Sequence, residues 1–529
     1  MVIETATRPV VADPAPPPHR TLLAVVGGLI AGVVTIGVAE LLAGLVQRFG
    51  WSSGTPSPVL AVGSAFINHT PLWLKEFATS NFGTNDKKVL LGGIAVVLFV
   101  ASLVIGWISE RHYAVALVLF VALVAVAALA VATRPHAGFI DVFPLLIGAV
   151  AGLLMLGWWR LQLVVNPAPA QMSSYDRRRV LILGAGGAVA AALGGFAGRA
   201  LSSGARAVEQ ARAAFVLPKV AKPVTVPAGA SVGVPGVTPF VVPGDQFYRI
   251  DTALTVPEVD PHSWSLKVTG MVDHDIEIDW DTLLSKPMID AMVTLMCVSN
   301  EVGGNLNGNA IWTGWPVREL LAQAGPQTGA DMVLSTSVDG FTAGTPLSAM
   351  TDPNRNAILA VAMNGEALPA EHGFPVRLVV PGLYGYVSAT KWLSELKVTT
   401  YAKDMGYWTP RGWSAMGPVK ISSRIDVPTS GTHVKAGTVA VAGVAWDQHV
   451  GVKSVQVQVD GGAWQEARLG TDATIDAWRQ WVYEWPATKG SHTIAVRAVS
   501  DTGEVQTSVQ APPAPNGSTG LDSITVTVD

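Results

Sequence analysis

Cysteine is almost absent from this chain, whose 529 residues contain a single one, Cys297. One thiol cannot form an intrachain disulfide, an all-cysteine zinc site, a cysteine-ligated iron–sulfur cluster or a C-x-x-C-H haem attachment. Charged residues are also scarce, at 14% against about 25% in soluble domains. The net charge of −4 leaves no basic excess, so we expect no nucleic-acid partner.

Hydrophobic residues make up 49% of the chain and are concentrated near its start. Long apolar runs occupy 21–47, 89–109, 113–133, 139–159 and 180–198. Each is close to the 20 or so residues that a helix needs to cross about 30 Å of hydrocarbon, so the sequence predicts five helices in the lipid bilayer. Glu40 lies well inside the first run. It is either a functional intramembrane acid or, as we favour, the partner of a headgroup or of another helix near the end of its span.

Basic residues predict the orientation of these spans. With the N-terminus inside, the cytoplasmic side receives Arg20, Arg111, Arg160, Arg177, Arg178 and Arg179. Five spans then place everything after residue 200 outside the cytoplasm, as part of a multi-pass protein of the cell membrane. The run Asp176-Arg-Arg-Arg-Val-Leu181 resembles a twin-arginine export signal, a route that carries folded, cofactor-loaded domains. The alternative is ordinary positive-inside anchoring, which needs only the charges.

The sequence predicts a multidomain protein. A cytoplasmic tail (1–20) precedes the five-helix transmembrane anchor (21–200), and a Pro/Gly-rich linker (201–246) follows it. Strand-like runs mixed with short helical ones predict an α+β domain over 247–417. Regularly spaced strands with turn signals predict an antiparallel, immunoglobulin-like β-sandwich over 418–529.

Cys297 ends an apolar, strand-like run and precedes a polar, Gly-rich loop that reaches Gly304. A lone thiol is either buried and inert or kept for its reactivity. As a soft thiolate it is also a good ligand for a transition metal. The residues around it, taken alone, favour the inert interpretation.

A second group of polar residues borders a strand and a Gly-rich turn. The run Glu371-His-Gly-Phe-Pro-Val-Arg-Leu-Val-Val-Pro-Gly382 contains His372 and Arg377, and Lys391 follows it. Backbone N–H groups of such a turn, beside fixed cations, suit an anionic phosphate. Taken singly, Arg377 is better explained by a strand-edge ion pair and Lys391 by a solvated loop.

Together these segments resemble the molybdenum-cofactor domain of the sulfite oxidase family, which includes bacterial periplasmic oxidoreductases that repair methionine sulfoxide. Phe247-Tyr-Arg-Ile-Asp251 resembles the family's Phe-x-Arg-x-His segment, and Met363-Asn-Gly-Glu-Ala-Leu-Pro369 its Met-Asn-Gly-x-x-Leu-Pro stretch. The resemblance covers about 240–529 and includes a sandwich like the family's dimerisation domain. It implies a molybdenum–molybdopterin cofactor, oxygen-atom transfer on a small-molecule substrate, and a homodimer formed through the C-terminal domain.

The resemblance also implies roles for individual residues. Cys297 would supply the thiolate ligand to molybdenum and, with Arg249, would be catalytic. The residues implied to bind the cofactor are Phe247, Tyr248, Arg249, Ile250, Asp251, Asp339, His372, Arg377, Ala389, Thr390 and Lys391. In this scheme His372 and Arg377 hold the phosphate, while Asp339 rests on a loose local match.

Three departures from the family's pattern concern the substrate. Glu301 stands where sulfite oxidases have an arginine, and Phe341 stands where they have the active-site tyrosine. Asp251 replaces a histidine. A carboxylate repels a sulfite dianion, and the other two changes remove polar groups. We therefore expect oxygen-atom transfer, with Arg249 holding an anionic or polar oxo-substrate, but not efficient sulfite oxidation.

The electron path and the rival functions remain open at this point. None of the ten histidines lies in the middle of a predicted span, so we expect no haem between these helices and, with one cysteine, no iron–sulfur cluster. Electrons would then pass to or from an unidentified protein partner or a quinone. One rival is a reductase of S- or N-oxides of the methionine sulfoxide repair type. The other is a non-catalytic surface binding module, against which the joint presence of Cys297, His372, Arg377 and Lys391 argues.

Overall fold

The computed structural model describes residues 18–52, 54–82, 85–135, 137–161, 174–201 and 204–529. The chain divides into two compact units, Met1–Ser203 and Gly204–Asp529. Most of the predicted tail, 1–20, lies outside the described residues, as do the side chains of Arg177, Arg178 and Arg179.

The described elements of the first unit are helices. They are α1 (Pro18–Arg48), α2 (Pro58–His69), α3 (Leu72–Phe82), α4 (Asp86–Arg111), α5 (Tyr113–Ala132), α6 (Phe139–Arg160) and α7 (Ser174–Leu201). Among the described residues, four segments are long and apolar enough to cross a membrane: Thr21–Arg48 of α1 and the whole of α4, α5 and α6. They coincide with the first four predicted spans.

The fifth predicted span, 180–198, is not among them, so the described residues support four of the five predicted spans. It lies in α7, whose apolar part within the described residues is Gly184–Ala197. The charged run Asp176–Arg179 precedes this part, and glycine and alanine make it weakly hydrophobic. Fourteen residues of helix extend about 21 Å, which is short of about 30 Å of hydrocarbon.

The helix α7 nevertheless packs closely against α1. A side chain at Gly37 of α1 would collide with the backbone of Ala191, and a Cβ on Gly195 would lie 3.4 Å from the Gly37 Cα. Small residues at such positions let two helix backbones approach each other, as they do in membrane bundles. This segment is therefore a packed member of the helical unit.

Two buried carboxylates of this unit contact the first residues of a helix. Glu40 is 5% exposed, and its carboxylate accepts hydrogen bonds from Ser57 Oγ at 2.7 Å and from the Val59 N–H at 3.3 Å, at the start of α2. Asp141 is 1% exposed and accepts from the Gly138 N–H at 2.7 Å. The N-terminus of a helix stabilises a negative charge. The structure thus supports the interpretation of Glu40 as the partner of another helix.

Arginines mark the other end of the unit. Arg160 Nε, at the end of α6, donates to the Ser109 carbonyl at 3.0 Å, and its guanidinium carbon lies 4.5 Å from the Tyr113 ring centroid. The connection between α4 and α5, which carries Arg111, therefore meets the end of α6. This agrees with the predicted placement of Arg111 and Arg160 on one side of the membrane.

The second unit begins with α8 (Gly204–Ala213) and then contains two mixed sheets. The first sheet has the order β1 (Val220–Lys222), β4 (Met288–Met296), β5 (Asn307–Pro316), β8 (Ile358–Met363) and β10 (Arg377–Val379), with β9 (Glu366–Ala367) paired to β8. The second has the order β3 (Ile276–Asp279), β2 (Ser265–Gly270), β11 (Leu393–Thr399), β6 (Met332–Ser337) and β7 (Thr342–Pro346). Short helices complete this α+β part: α9 (Trp280–Leu284), α10 (Val317–Ala324), α11 (Leu347–Thr351) and α12 (Gly385–Ser388).

Side chains of both mixed sheets share one hydrophobic core. Leu359 and Val361 of β8 are fully buried in the same cluster as Leu266 of β2 and Leu396 of β11. Every residue of β8 is buried, which matches its uninterrupted apolar sequence, Ile358–Met363. This core supports the strands from which the polar residues of the site project.

The C-terminal part is a β-sandwich, as predicted. One sheet has the order β12 (Ser422–Val427), β14 (Gly437–Trp446), β18 (Arg479–Ala487) and β17 (Arg468–Leu469). The other has the order β13 (His433–Val434), β20 (Asp522–Val528), β19 (Gly490–Ser500), β15 (Val452–Val459) and β16 (Gln465–Glu466). The pair β13–β20 is parallel, and the remaining pairs are antiparallel. Val441, Trp481, Val455 and Val496 fill the space between the two sheets with 0% exposure.

Candidate active site

Cys297 is the first residue after β4, at the start of a closed loop. Its N–H donates to the Leu306 carbonyl at 2.9 Å, and its own carbonyl accepts from the Asn300 N–H at 3.1 Å. The thiol is half-buried, with the Ser299 N–H 3.4 Å from Sγ. Burial raises the pKa of the Cys297 thiol, so the group stays protonated at neutral pH until a metal ion stabilises the thiolate.

Two tyrosines border Cys297. Burial raises the pKa of Tyr384 to about 12, with a further contribution from the nearby Cys297, and the same two causes raise the pKa of Tyr248. Both phenols therefore stay protonated at neutral pH. Tyr248 was predicted to contact a cofactor, but Tyr384 was not assigned. The available signal for Tyr384 was its position in the Gly-rich turn that follows Arg377.

Asp251 joins two cations on one carboxylate oxygen. Its Oδ2 accepts from Lys391 Nζ at 2.8 Å and from Arg249 Nε at 3.0 Å, and its side chain is 3% exposed. Lys391 Nζ also donates to the Glu371 carbonyl at 3.0 Å. Burial lowers the pKa of Lys391 to about 8, although Asp251 favours its charged form. The structure thus brings three of the predicted site residues together.

Arg377 and His372 form the neighbouring part of the site. Arg377 is 5% exposed; its Nη1 donates to the His372 carbonyl at 3.0 Å, and its guanidinium carbon lies 4.8 Å from the Trp312 ring centroid. Burial lowers the pKa of Arg377 to about 10, so it remains a cation at neutral pH. His372 Nε2 lies 3.0 Å from the Gly244 carbonyl, so this nitrogen carries the proton. Burial, with the charges of Arg377 and Lys391, lowers the pKa of His372 to about 4, so the imidazole is neutral.

Phe247 connects the predicted segment 247–251 to this cluster. Its ring stacks on Tyr248 with centroids 5.3 Å apart, and it meets the rings of Trp312 at 5.6 Å and His372 at 5.5 Å edge to face. Such aromatic contacts fix ring positions beyond what burial alone does. Ile250, in contrast, is 50% exposed.

Ala389 and Thr390 close the cluster through the backbone and a hydroxyl. The Ala389 carbonyl accepts from Arg377 Nη2 at 3.4 Å. Thr390 is fully buried, and its Oγ1 lies 2.7 Å from Ser335 Oγ. Both residues therefore fix the strand end that presents Lys391.

Three further residues from the sequence analysis lie apart from this cluster. Asp339 Oδ1 accepts from the Phe341 N–H at 3.1 Å, so the carboxylate stabilises the turn between β6 and β7 and not the His372–Arg377 group. The Phe341 ring packs on Tyr407, with centroids 5.8 Å apart. Glu301 is exposed on the loop after Cys297, so solvent screens its charge.

The side chains present fit an anionic, metal-bearing cofactor. Arg377 Nε is buried and has no hydrogen-bond partner in the described structure, so an acceptor such as a phosphate oxygen would satisfy it. Arg249, Arg377 and Lys391 supply three positive charges against the one carboxylate of Asp251. The described residues contain no group of three or more His, Cys, Asp or Glu side chains able to hold a metal ion. A metal bound here would therefore take the Cys297 thiolate from the protein and its other ligands from a cofactor.

Comparisons with known proteins agree with this arrangement. Residues 253–408 match the family of the oxidoreductase molybdopterin binding domain, and residues 422–496 match the bacterial Ig domain. Mitochondrial sulfite oxidase of Mus musculus is 31% identical over 322 residues, which cover 52% of this chain and 58% of the mouse protein. Nitrate reductase [NADH] of Solanum lycopersicum is 31% identical over 178 residues, which cover 29% of this chain and 19% of that enzyme.

The chain thus spans a little over half the length of the mouse enzyme. Among solved structures, the sulfane dehydrogenase SoxCD from Paracoccus pantotrophus matches with a TM-score of 0.48 at 21% identity. This match covers 60% of the present chain and 93% of the other.

Proposed function

We propose, from the membership of residues 253–408 in the molybdopterin-binding oxidoreductases of the sulfite oxidase family, that this chain is a membrane-anchored enzyme of oxygen-atom transfer. The observation that carries the proposal is the buried Nε of Arg377, which has no hydrogen-bond partner among the described residues. A surface module that had lost the cofactor would have no use for a buried guanidinium N–H without an acceptor, which would be costly to keep.

Each site residue has a definite task in this proposal. The molybdenum cofactor, when bound, would supply the metal chemistry of oxygen-atom transfer. Cys297 would lose its proton and bind that metal through Sγ. Arg377 and Lys391 would neutralise the phosphate, and the neutral His372, whose N–H is taken by the Gly244 carbonyl, would line the site without adding charge. Tyr248, protonated at neutral pH, would donate a hydrogen bond beside the sulfur.

The substrate we propose is a small polar or anionic oxo-compound other than sulfite. Arg249 is 39% exposed in its side chain and is held by Asp251 through Nε, which orients the guanidinium for a substrate. Phe341 offers no hydroxyl, and Glu301 adds a negative charge. Because Glu301 is exposed, its repulsion is weak, and the missing hydroxyl carries most of the argument against sulfite.

Reduction of an S- or N-oxide is the second candidate. It would use the same residues with electrons flowing towards the metal. Replacement of a sulfite-binding arginine by Glu301 favours it, because a neutral oxide does not need a second cation. In either direction, we propose that electrons pass through a protein partner or a quinone. The C-terminal sandwich would form the homodimer.

We also propose that the catalytic domain lies outside the cytoplasm. Gly184 of α7 packs against Trp159, whose Nε1 donates to the Leu23 carbonyl at 2.7 Å, whereas Gly195 packs against Gly37. Residue numbers therefore rise in the same direction along α7 and α1, and α7 ends opposite the arginine-bearing end of the unit. This supports α7 as a fifth crossing that is held by helix packing and not by its own hydropathy.

The test is turnover by the full chain in membranes. Sulfite, sulfoxides and N-oxides are screened with dyes that accept or donate electrons. We expect turnover of at least one of these compounds and its loss in Cys297→Ser, because a serine oxygen does not replace the electron donation of a thiolate. Ser491→Ala, a change of similar size at an exposed position of β19, is the control and should retain activity. Native turnover by Cys297→Ser would contradict the assignment.

A further inference from the structure

Beyond the two residues of β4 that pair with β1, the C-terminal domain bonds the same edge of β4 just before the strand reaches Cys297. The Thr294 N–H donates to the Asp476 carbonyl at 3.0 Å, and Thr294 Oγ1 accepts from the Trp478 N–H at 2.8 Å. The side-chain amide of Gln448 donates to the Thr294 carbonyl. Since β5 pairs with the opposite edge of β4, the strand is fixed on both sides at this point. Thr294 is fully buried between them.

Arg424, on the first strand of the C-terminal sandwich, forms hydrogen bonds with the loop that follows Cys297. Its Nη1 donates to the Gly304 carbonyl at 2.7 Å and to Asn307 Oδ1 at 2.8 Å. Nη2 donates to Thr238 Oγ1 at 3.0 Å, and Nε donates to Asp426 Oδ1 at 2.7 Å. With 5% of its surface exposed, this guanidinium donates to four different acceptors. A planar fork of this kind fixes several acceptors at once, which a lysine cannot do.

Two more contacts attach the same loop to the C-terminal domain. Ser518 Oγ donates to the Asn300 carbonyl at 2.7 Å. Gly303 has a φ of +74°, and a Cβ there would lie 2.7 Å from Asp522 Oδ1, so the loop backbone runs directly against that carboxylate. The C-terminal domain therefore contacts the loop near its start at Asn300, in its middle at Gly303, and at its end at Gly304 and Asn307.

We infer that the C-terminal domain positions the Cys297 thiol, and that Arg424 is the positioning residue that sets the loop. Only a few hydrogen bonds separate Arg424 from Cys297. Leu306, whose carbonyl accepts from the Cys297 N–H, lies between the two residues that Arg424 binds, Gly304 and Asn307. A displacement of the segment from Gly304 to Asn307 consequently moves the peptide group of Cys297, which is bonded to Leu306. This inference rests on the proposed function only for what the sulfur then binds.

The experiment uses the single cysteine as its own probe. Full-length chain is prepared without cofactor in detergent, and the rate of its reaction with N-ethylmaleimide is measured, which reports Cys297 alone. Arg424→Lys keeps the charge but removes the fork. We expect about a tenfold faster reaction, because charge-assisted hydrogen bonds that keep the loop closed are lost. Ser518→Ala, a milder change on the same loop, should raise the rate about twofold to threefold.

Arg497→Lys is the matched control. Arg497 is also an arginine on a strand of the sandwich, but its Nε bonds Gln456 at 2.7 Å and its guanidinium lies over Trp464, all within that domain. It should react at the parent's rate. Parent-like rates in both Arg424→Lys and Ser518→Ala would overturn the inference, and so would an equal acceleration in Arg497→Lys, which would indicate general loosening. Because the reacting chain carries no cofactor, these outcomes are independent of whether the protein uses molybdenum.

Discussion

The stability of the domain that contains His372 should fall as the pH is lowered from about 7 to about 4. Burial and two neighbouring cations lower the pKa of His372 to about 4, whereas an unfolded histidine titrates near 6.5. Between these values the unfolded state binds the proton and the folded state does not, so acid favours unfolding. A difference of about 2.5 pKa units corresponds to about 3 kcal/mol at most, of which about 2 kcal/mol is lost by pH 5. His372 is 3% exposed, so solvent screening does not reduce this figure much.

Urea unfolding of the cofactor-free full chain in detergent, followed by pulse proteolysis at pH 7 and pH 5, measures this loss. His372→Gln removes the titration and should lose about 2 kcal/mol less than the parent over that interval. His262→Gln, which alters an exposed imidazole, is the control and should behave as the parent does. Equal losses in the parent and in His372→Gln would show that the buried imidazole is not responsible and would contradict the lowered pKa of His372.

Two further predictions concern export and substrate choice. Changing Arg177 and Arg178 together to Lys keeps the positive charge but should block export of the C-terminal domain if a twin-arginine signal operates. Export is measured by the accessibility of that domain to protease in spheroplasts. Full export of the variant would show that the charges act only as an anchor signal. The double change Glu301→Arg with Phe341→Tyr should raise kcat/KM for sulfite by about tenfold, a modest gain because position 301 is exposed. A parent that already oxidises sulfite as fast as a dedicated enzyme would contradict the pocket argument.

The helices predicted from sequence match the structure where composition alone decides the outcome. The runs 89–109 and 113–133 contain no charged residue, and both lie within helices long enough to span a membrane. The run 180–198 is different, because glycine and alanine give it little hydropathy while allowing close contact with α1. Its place among the helices is set by packing, which a hydropathy pattern does not contain.

The site shows the same division between local and long-range information. His372, Arg377 and Lys391 fall within one short stretch of sequence, so a motif could identify them together. Arg424 could not be found in this way, because it acts on Gly304 from a separate domain, 120 positions along the chain. Its value to the site depends on tertiary contacts that the residues around it do not indicate.

For a related reason, the sequence does not indicate which side chains Asp251 contacts. This residue was predicted as a cofactor contact and as a lost histidine. In the structure its carboxylate bridges Arg249 and Lys391, so the substitution exchanges a neutral or cationic ring for an anion that holds two cations in place. Such a bridge cannot be inferred from one position, because it needs both partners in space.

The molybdenum and pterin content of the full chain, purified from membranes, tests the central claim most directly. Cys297, Arg377 and Lys391 together predict about one molybdenum per chain, accompanied by an equal amount of pterin and by a Mo(V) signal in electron paramagnetic resonance on partial reduction. Chain that is folded, and made in cells able to synthesise the cofactor, but that contains neither molybdenum nor pterin would contradict it.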